Sequence, residues 1–142
     1  YGKKRSDDAS VLHHGDNLTG AGEGDDEVIT VNLASVHQDV KFIVINIASF
    51  SKVPFDQVRG GFLRIVDQTL NQHVELMKLR MHQGEKKTGF LFAVLYRIND
   101  ELWDLVPVMK YIKGNGPSTL EPEVKDFILN SGFIEEMINT SN

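Results

Sequence analysis

Residues 88–108 read TGFLFAVLYRINDELWDLVPV, and this stretch decides the fold class. Two runs rich in β-branched and aromatic residues flank Asn99 and Asp100, a residue pair that favours a hairpin turn. In the second run, a strand would place Leu102, Asp104 and Val106 on one face and Trp103 and Leu105 on the other. Pro107 has no N–H to donate, which suggests an edge position or a bulge. The stretch therefore predicts two neighbouring strands joined by a tight turn.

Further strand patterns precede this hairpin at regular intervals, at residues 28–33, 41–48, 61–67 and 73–79, with a weaker one at 10–13. Residues 41–48 are continuously apolar, so we expect that strand to be covered on both faces. Several short strands separated by turn signals are typical of an all-β sandwich or barrel. We predict an all-β fold, specifically an antiparallel β-sandwich.

The pattern changes after residues 114–117, which read GNGP. Apolar residues now recur at helical spacing, with an interruption at 130–132, and this predicts two short amphipathic helices. Residues 118–121 have capping-box spacing, which places Pro122 in the first helical turn. We therefore divide the chain into a β-sandwich over residues 1–114 and a helical tail over residues 115–142. The apolar faces of the tail either pack on the sandwich or bind a partner.

Composition excludes several classes of protein. The chain has 142 residues, a net charge of -5 and no cysteine. The lack of cysteine rules out disulfides, thiolate metal sites and a cysteine nucleophile, and it fits a reducing compartment. The negative charge gives no electrostatic basis for nucleic-acid binding. No apolar run approaches the roughly 20 residues of a membrane span, and from the polar opening residues YGKKRSDD we expect no signal peptide. We expect a cytoplasmic protein.

An acidic, glycine-rich segment occupies residues 15–27. It holds five carboxylates, one amide and four glycines in thirteen residues, with no Lys or Arg among them. Calcium takes 6–8 oxygen ligands and would relieve the repulsion between these carboxylates. Glycine would let the backbone turn sharply and direct carbonyl groups inward. The residues alone allow two interpretations, a calcium site or a solvated acidic loop.

Two other binding loops do not fit this segment. Residues 16–27 have the length of an EF-hand loop, but Leu18, Gly20 and Ala21 stand where that loop needs side-chain oxygens and its obligatory glycine. A phosphate-binding glycine loop would be followed by a lysine and a helix, whereas a strand pattern follows here. The nearby pair His13 and His14 lies on an extended chain, where adjacent side chains point opposite ways, so we interpret it as surface loop.

Three stretches together resemble one known family. Residues 15–33, GDNLTGAGEGDDEVITVNL, resemble the signature of the TerD tellurium-resistance and stress-response family. Residues 55–67, FDQVRGGFLRIVD, and 90–108, FLFAVLYRINDELWDLVPV, resemble later stretches of that family. The resemblance extends over roughly residues 6–113 and leaves the helical tail outside it.

The resemblance implies a calcium-binding β-sandwich in which the signature loop supplies much of the coordination. Carried over by position, the side-chain ligands would be Asp16, Asn17, Asp25, Asp26 and Glu27. Backbone or secondary ligands would come from Thr19, Gly20 and Glu23. No catalytic residues are implied, and we expect the protein not to be an enzyme.

Two departures from the family pattern bear on this expectation. The family carries an earlier half with an Asp-x-Asp-x-Ser motif, and residues 7–10 resemble that motif only superficially because they lie too near the signature loop. Residues 48–50 read ASF where the family often has His-Asp-Ala, so a nearby acidic ligand is missing. We expect that an N-terminal half is absent, or that a protein partner covers the open sheet, because exposed sheet edges promote aggregation.

Function can be framed as competing hypotheses. The leading one is a non-enzymatic calcium-binding domain of a stress-response or signalling protein. The alternative is a scaffold component that uses the sandwich and the helical tail, residues 115–142, as interaction surfaces, with the metal structural or absent. Binding of a small ligand such as a cyclic nucleotide has been attached to relatives, but no phosphate-binding arginine pocket can be recognised in the sequence.

Overall fold

The structure is a computed structural model that describes residues 3–16, 24–82 and 84–140. Most of its regular structure is β, and two helices follow at the C-terminal end, as predicted. The strands are β1 Val11–His13, β2 Ile29–Val31, β3 Phe42–Ala48, β4 Arg59–Asp67, β5 Val74–His82, β6 Gly89–Arg97 and β7 Trp103–Ile112. The helices are α1 Pro117–Asn130 and α2 Phe133–Thr140.

The described strands form three separate sheets. Strands β1 and β2 pair antiparallel, as do β4 and β5, and the third sheet has the order β3-β6-β7. The turn between β6 and β7 lies at residues 98–102, where Asn99 accepts hydrogen bonds from the N–H groups of Glu101 and Leu102 on its side-chain oxygen. The hairpin predicted from residues 88–108 is therefore present. Hydrogen bonding between the described strands does not join these three sheets into one.

The buried central strand is β6, not β3. We expected residues 41–48 to be covered on both faces, but β3 lies at an edge of its sheet and is only half-buried. Residues 89–94 of β6 are all buried, and hydrogen-bonded neighbours flank β6 on both sides. Pro107 lies in β7 at the other edge, as its missing N–H predicted. The continuous apolar run of residues 41–48 was thus a wrong indication of burial on both faces.

The first helix begins earlier than predicted. It starts at Pro117, so Pro122 lies inside the helix and not in its first turn. The hydroxyl oxygen of Thr119 accepts hydrogen bonds from the N–H groups of Asn115 and Gly116, at 3.0 and 3.2 Å, and closes the helix start. Pro122 has no N–H, so α1 lacks the hydrogen bond that another residue at this position would donate to the preceding turn.

The chain divides into two compact units, and the first comprises residues 1–43 and 94–106. Its most buried polar side chains include Arg97, which is 6% exposed. The guanidinium group donates to the carbonyl oxygens of Val36 and Val40, both at 2.9 Å, and of His37 at 3.2 Å. It also lies 4.3 Å from the ring of Trp103. One side chain therefore fixes the irregular segment that precedes β3.

The second unit comprises residues 44–93 and 107–142. Its core centres on Leu91, Ile112 and Leu120, with exposed fractions of 0%, 3% and 4%. Leu120 belongs to α1, so the helical tail packs against the strands, which was one of the two expectations for its apolar face. Partly buried residues around this centre are Val44, Ala48, Val108, Val124 and Phe127. No described helix is both long and apolar enough to cross a membrane.

Candidate metal site

The acidic segment forms the connection of the β1–β2 hairpin. The two strands pair with His13 opposite Ile29. One residue further into the loop, the N–H of His14 donates to the carbonyl oxygen of Val28 at 3.0 Å. This pairing holds the two ends of the loop side by side. Residues that are far apart within the segment are thereby brought together at its base.

Three side chains meet at this base, and they are His13, Asp16 and Glu27. One potential ligand atom from each lies within 4.8 Å of the others. Two oxygens bound to the same calcium ion at about 2.4 Å can be at most roughly 4.8 Å apart. The carboxylates of Asp16 and Glu27 are therefore close enough to share a cation. Both are exposed, whereas His13 is half-buried.

The hydrogen bonds of His13 oppose its use as a ligand. Its Nδ1 accepts a hydrogen bond from the N–H of Gly15 at 3.0 Å, so the ring proton is carried by Nε2. Nε2 lies 3.5 Å from Oδ1 of Asp16. A metal on either nitrogen would displace one of these contacts, and calcium prefers oxygen. His13 thus lies beside the Asp16 carboxylate without being a favoured ligand. The sequence pattern predicted only a surface loop for this histidine, although its position three residues before Asp16 was the available signal.

Two glycines shape the ends of the loop. Gly15 has φ 122° and Gly24 has φ 106°, both in the left-handed region that side chains other than glycine rarely adopt. An added Cβ would meet no atom within 4 Å at either position. Backbone conformation, not space, therefore requires glycine at these two points.

The structure assembles part of the ligand set that the family resemblance implied. Asp16 and Glu27 belong to the three-residue group at the loop base. Asp25 and Asp26 are exposed in the loop and outside that group. The four remaining candidates, Asn17, Thr19, Gly20 and Glu23, lie outside the described residues.

The carboxylate of Asp8 accepts hydrogen bonds that hold neighbouring parts of the fold together. Oδ1 accepts hydrogen bonds from the hydroxyls of Ser6 and Ser10, at 2.6 and 2.7 Å, and from the N–H of Ser10 at 3.0 Å. Oδ2 accepts one from the N–H of His37 at 3.1 Å. The bond from Ser6 contributes most, and together these donors hold the Asp8 pKa well below its usual range. Asp8 thus ties the turn at Ser6 and Ser10 to the segment that contains His37.

Basic side chains lie near the acidic loop in this first unit. A cavity of about 410 Å³ is lined by Lys3, Lys4, Arg5, Ser6, Val11, His13 and Ile29. The segment 15–27 itself contains no Lys or Arg, but the chain that precedes β1 brings three such residues to one side of His13. These charges would weaken the attraction of the loop for a cation, as would the ionic strength of the solution.

Comparison with known proteins identifies the family. The sequence model of the TerD domain matches residues 1–116. The chain is 32% identical over 129 residues to the tellurium resistance protein TerZ of Serratia marcescens, covering 91% of this chain and 65% of that protein. It is 38% identical over 106 residues to general stress protein 16U of Bacillus subtilis, covering 71% and 54%.

A third relative, the tellurium resistance protein TerD of Serratia marcescens, is 37% identical over 105 residues, which cover 71% of this chain and 54% of that protein. The chain thus spans between about half and two thirds of the length of these relatives. The match to TerZ covers more of the chain than residues 1–116 can supply, so it extends into the helical tail that the family resemblance had excluded. On this similarity, and on the signature in residues 15–33, the chain belongs to the TerD domain family.

Proposed function

We propose that this chain is a non-enzymatic calcium-binding domain of a cytoplasmic stress-response protein of the TerD type. The observation that carries the proposal is the meeting of Asp16 and Glu27 at the base of the acidic hairpin loop. Two names among the relatives, tellurium resistance protein and general stress protein, support the stress-response part. The oxygen-rich composition of the loop supports calcium over softer metals.

In this proposal each part of the loop has a defined task. The carboxylates of Asp16 and Glu27 bind the cation from the two ends of the loop, and His13 lies beside Asp16. Further oxygens would come from Asn17, Thr19, Gly20, Glu23, Asp25 and Asp26. The bound ion would supply positive charge that cross-links the loop ends, which otherwise repel one another.

The proposal extends to the sheet architecture. A two-stranded sheet is marginally stable by itself, and the described part of the chain contains two of them, β1–β2 and β4–β5. We propose that in the complete fold the sheets pack as an antiparallel sandwich, with their open edges covered by further strands or by a protein partner. Limited proteolysis tests this by comparing the rate of cleavage within β4–β5 in this chain and in a longer protein that contains it. Equal cleavage rates in the two proteins would contradict the proposal.

Calorimetric titration of calcium into metal-stripped protein is the direct test of the metal site. We expect saturable binding that is lost in Asp16→Asn/Glu27→Gln and weakened in Asp25→Asn/Asp26→Asn. The matched control is Asp100→Asn/Glu101→Gln, which removes two exposed carboxylates in the β6–β7 turn and should leave binding unchanged. Calcium at about 100 times its Kd should also stabilise the fold by about 2.7 kcal/mol. Binding that persists without Asp16 and Glu27 would place the ion elsewhere.

A scaffold role is the second candidate, and one observation favours it. Leu129 on α1 is 68% exposed, although the same helix buries Leu120 and Ile128. Deleting the tail would also remove Leu120 from the core. A loss of partners could then result from unfolding and not from the missing surface. Leu129→Ser is the cleaner variant because it changes only the exposed face. Loss of co-purifying partners with an unchanged melting temperature would support the scaffold role, and unchanged partners would remove its basis.

A further inference from the structure

The segment before β1 adds a third, strand-like row to the β1–β2 sheet. The N–H of Ser6 donates to the carbonyl oxygen of Val11 at 3.0 Å. The N–H of His13 donates to the carbonyl oxygen of Lys4 at 2.8 Å. These two bonds and an isolated bridge between them set an antiparallel register. Because side chains alternate along a strand, these four side chains point to one face of the sheet.

The cavity beside the acidic loop opens on this face, because all four residues belong to its lining. Ile29 also lines the cavity; it pairs with His13 across the sheet and is 60% exposed. Val11, on the same face, is half-buried. The cavity volume of about 410 Å³ is in the lower part of the range for small-molecule sites, roughly 300–1,000 Å³. The cavity therefore offers an apolar wall and enough room for the body of a small ligand.

Two cations of the cavity have no acidic partner in the described part of the chain. Lys3 forms an exposed ion pair with Asp7 at 2.5 Å. None of the described residues forms an ion pair with Lys4 or Arg5, and both are exposed. Two unpaired cations match the charge of a phosphate monoester, which is roughly −1.5 to −2 near pH 7. Arginine also presents a planar fork that can bind two phosphate oxygens at once.

His13 connects the cavity to the acidic loop. It lines the cavity, and its Nε2 lies 3.5 Å from Oδ1 of Asp16 at the loop base. An anion in the cavity and a cation at the loop base would therefore both lie next to this histidine. Without calcium, the carboxylates of Asp16 and Glu27 repel the anion. Without the anion, the positive charges of Lys4 and Arg5 repel calcium, and neither repulsion is fully screened over distances below the Debye length.

We infer that this cavity binds a small phosphate monoester with an apolar body, and that this ligand and calcium at the loop strengthen each other's binding. The first part stands on the cavity alone. The second part rests on the proposed function, because it needs calcium at Asp16 and Glu27. Coupling between two sites is reciprocal, so each ligand must raise the affinity for the other by the same factor. Both carboxylates are exposed, so we expect a factor of about five, at the lower end of the usual range.

Titration of the metal-stripped chain with phenyl phosphate, followed by the NMR shifts of the backbone amides, tests the cavity. Phenyl phosphate carries the dianionic head, and its ring supplies the apolar body. We expect saturable shifts with a Kd of roughly 1 mM. Lys4→Gln/Arg5→Gln should weaken binding about tenfold or more, while the main-chain bonds of this segment remain. The matched control is Lys86→Gln/Lys113→Gln, which removes the same charge from two exposed residues outside the cavity and should bind like the unchanged chain.

Two comparisons identify the class of ligand. Methyl phenyl phosphate keeps the ring but is a diester with a single negative charge, so it should bind more weakly than the monoester. Ile29→Ala should weaken phenyl phosphate about threefold and leave inorganic phosphate unchanged, because only the ring contacts that side chain. Equal binding of the two esters, undiminished binding in Lys4→Gln/Arg5→Gln, or no saturable shift up to about 10 mM phenyl phosphate would overturn the cavity assignment. Equal effects of Ile29→Ala on both phosphates would overturn the apolar wall.

Calcium titrations with and without phenyl phosphate test the coupling, with free calcium measured by an ion-selective electrode. In the unchanged chain, saturating phenyl phosphate should lower the calcium Kd about fivefold, and saturating calcium should lower the phenyl phosphate Kd by the same factor. In Lys4→Gln/Arg5→Gln the calcium Kd should already be lower without the anion, because two repelling charges are gone, and phenyl phosphate should not change it further.

The outcomes separate this inference from the proposed function. If calcium binds but its affinity does not depend on phenyl phosphate, the coupling is wrong. If the coupling persists in Lys4→Gln/Arg5→Gln, the anion binds the calcium ion directly and the cavity assignment is overturned. If calcium does not bind at all, the proposed function and the coupling fail together, whereas the calcium-free titration still decides whether the cavity binds the monoester.

Discussion

Replacing Arg97 should be among the most damaging single changes in the first unit. Its guanidinium group is buried and makes three hydrogen bonds to main-chain carbonyls, from 2.9 to 3.2 Å. The peptide between Val36 and His37 is held from both sides, because its carbonyl accepts from Arg97 and its N–H donates to Asp8. Removing the arginine therefore frees carbonyls in a segment with no regular hydrogen-bond ladder of its own.

The expected magnitude follows from these contacts. Hydrogen bonds from a charged donor contribute roughly 1.5–3 kcal/mol each, and the two at 2.9 Å are the strongest. The cation–π contact with Trp103 adds about 1 kcal/mol. Because water entering the site would offset part of the loss, Arg97→Met should lower the free energy of unfolding by about 4 kcal/mol. Arg97→Lys should lower it by about 2 kcal/mol, since an ammonium cannot span both carbonyls as a planar fork does.

Urea denaturation of these variants measures the effect, with Arg80→Met as the matched control. Arg80 is exposed on β5, so its replacement should change stability by no more than about 0.5 kcal/mol. A double-mutant cycle of Arg97→Met with Trp103→Leu should return a coupling of about 1 kcal/mol. The reasoning fails if Arg97→Met costs less than about 1 kcal/mol, or if the lysine variant is as unstable as the methionine variant.

Two further changes test the packing and the pH response. The folded-state pKa of Asp8 is depressed, so its contribution to stability is present above the unfolded-state value of about 4 and is lost as pH falls below it. The stability difference between the unchanged chain and Asp8→Asn should therefore shrink on acidification, and a difference independent of pH would contradict this. Gly89→Ala should destabilise the protein by roughly 1–3 kcal/mol in thermal melts, because its Cβ would lie 2.5 Å from Leu120 Cδ2, and an unchanged melting temperature would contradict this.

Local chemistry in the sequence was enough to predict the regular elements. Strand and helix patterns depend on near neighbours along the chain, so the β6–β7 hairpin and two C-terminal helices with a break between them are all present. The start of α1 was misplaced because the helix is capped at Gly116 and Thr119, whereas the predicted capping box, Ser118 to Glu121, lies two residues later. The signature in residues 15–33 is specific enough to indicate the family without any knowledge of the tertiary contacts.

Contacts between distant residues could not be predicted in this way. Whether β3 or β6 is central depends on which strands pair, and both runs are apolar. The part played by His13 depends on where the hairpin brings Asp16, and that of Arg97 depends on carbonyl groups 57 to 61 residues away. Sequence alone therefore determined the element types, the acidic loop and the family. The tertiary structure decided which charges meet, because that depends on how the chain returns on itself.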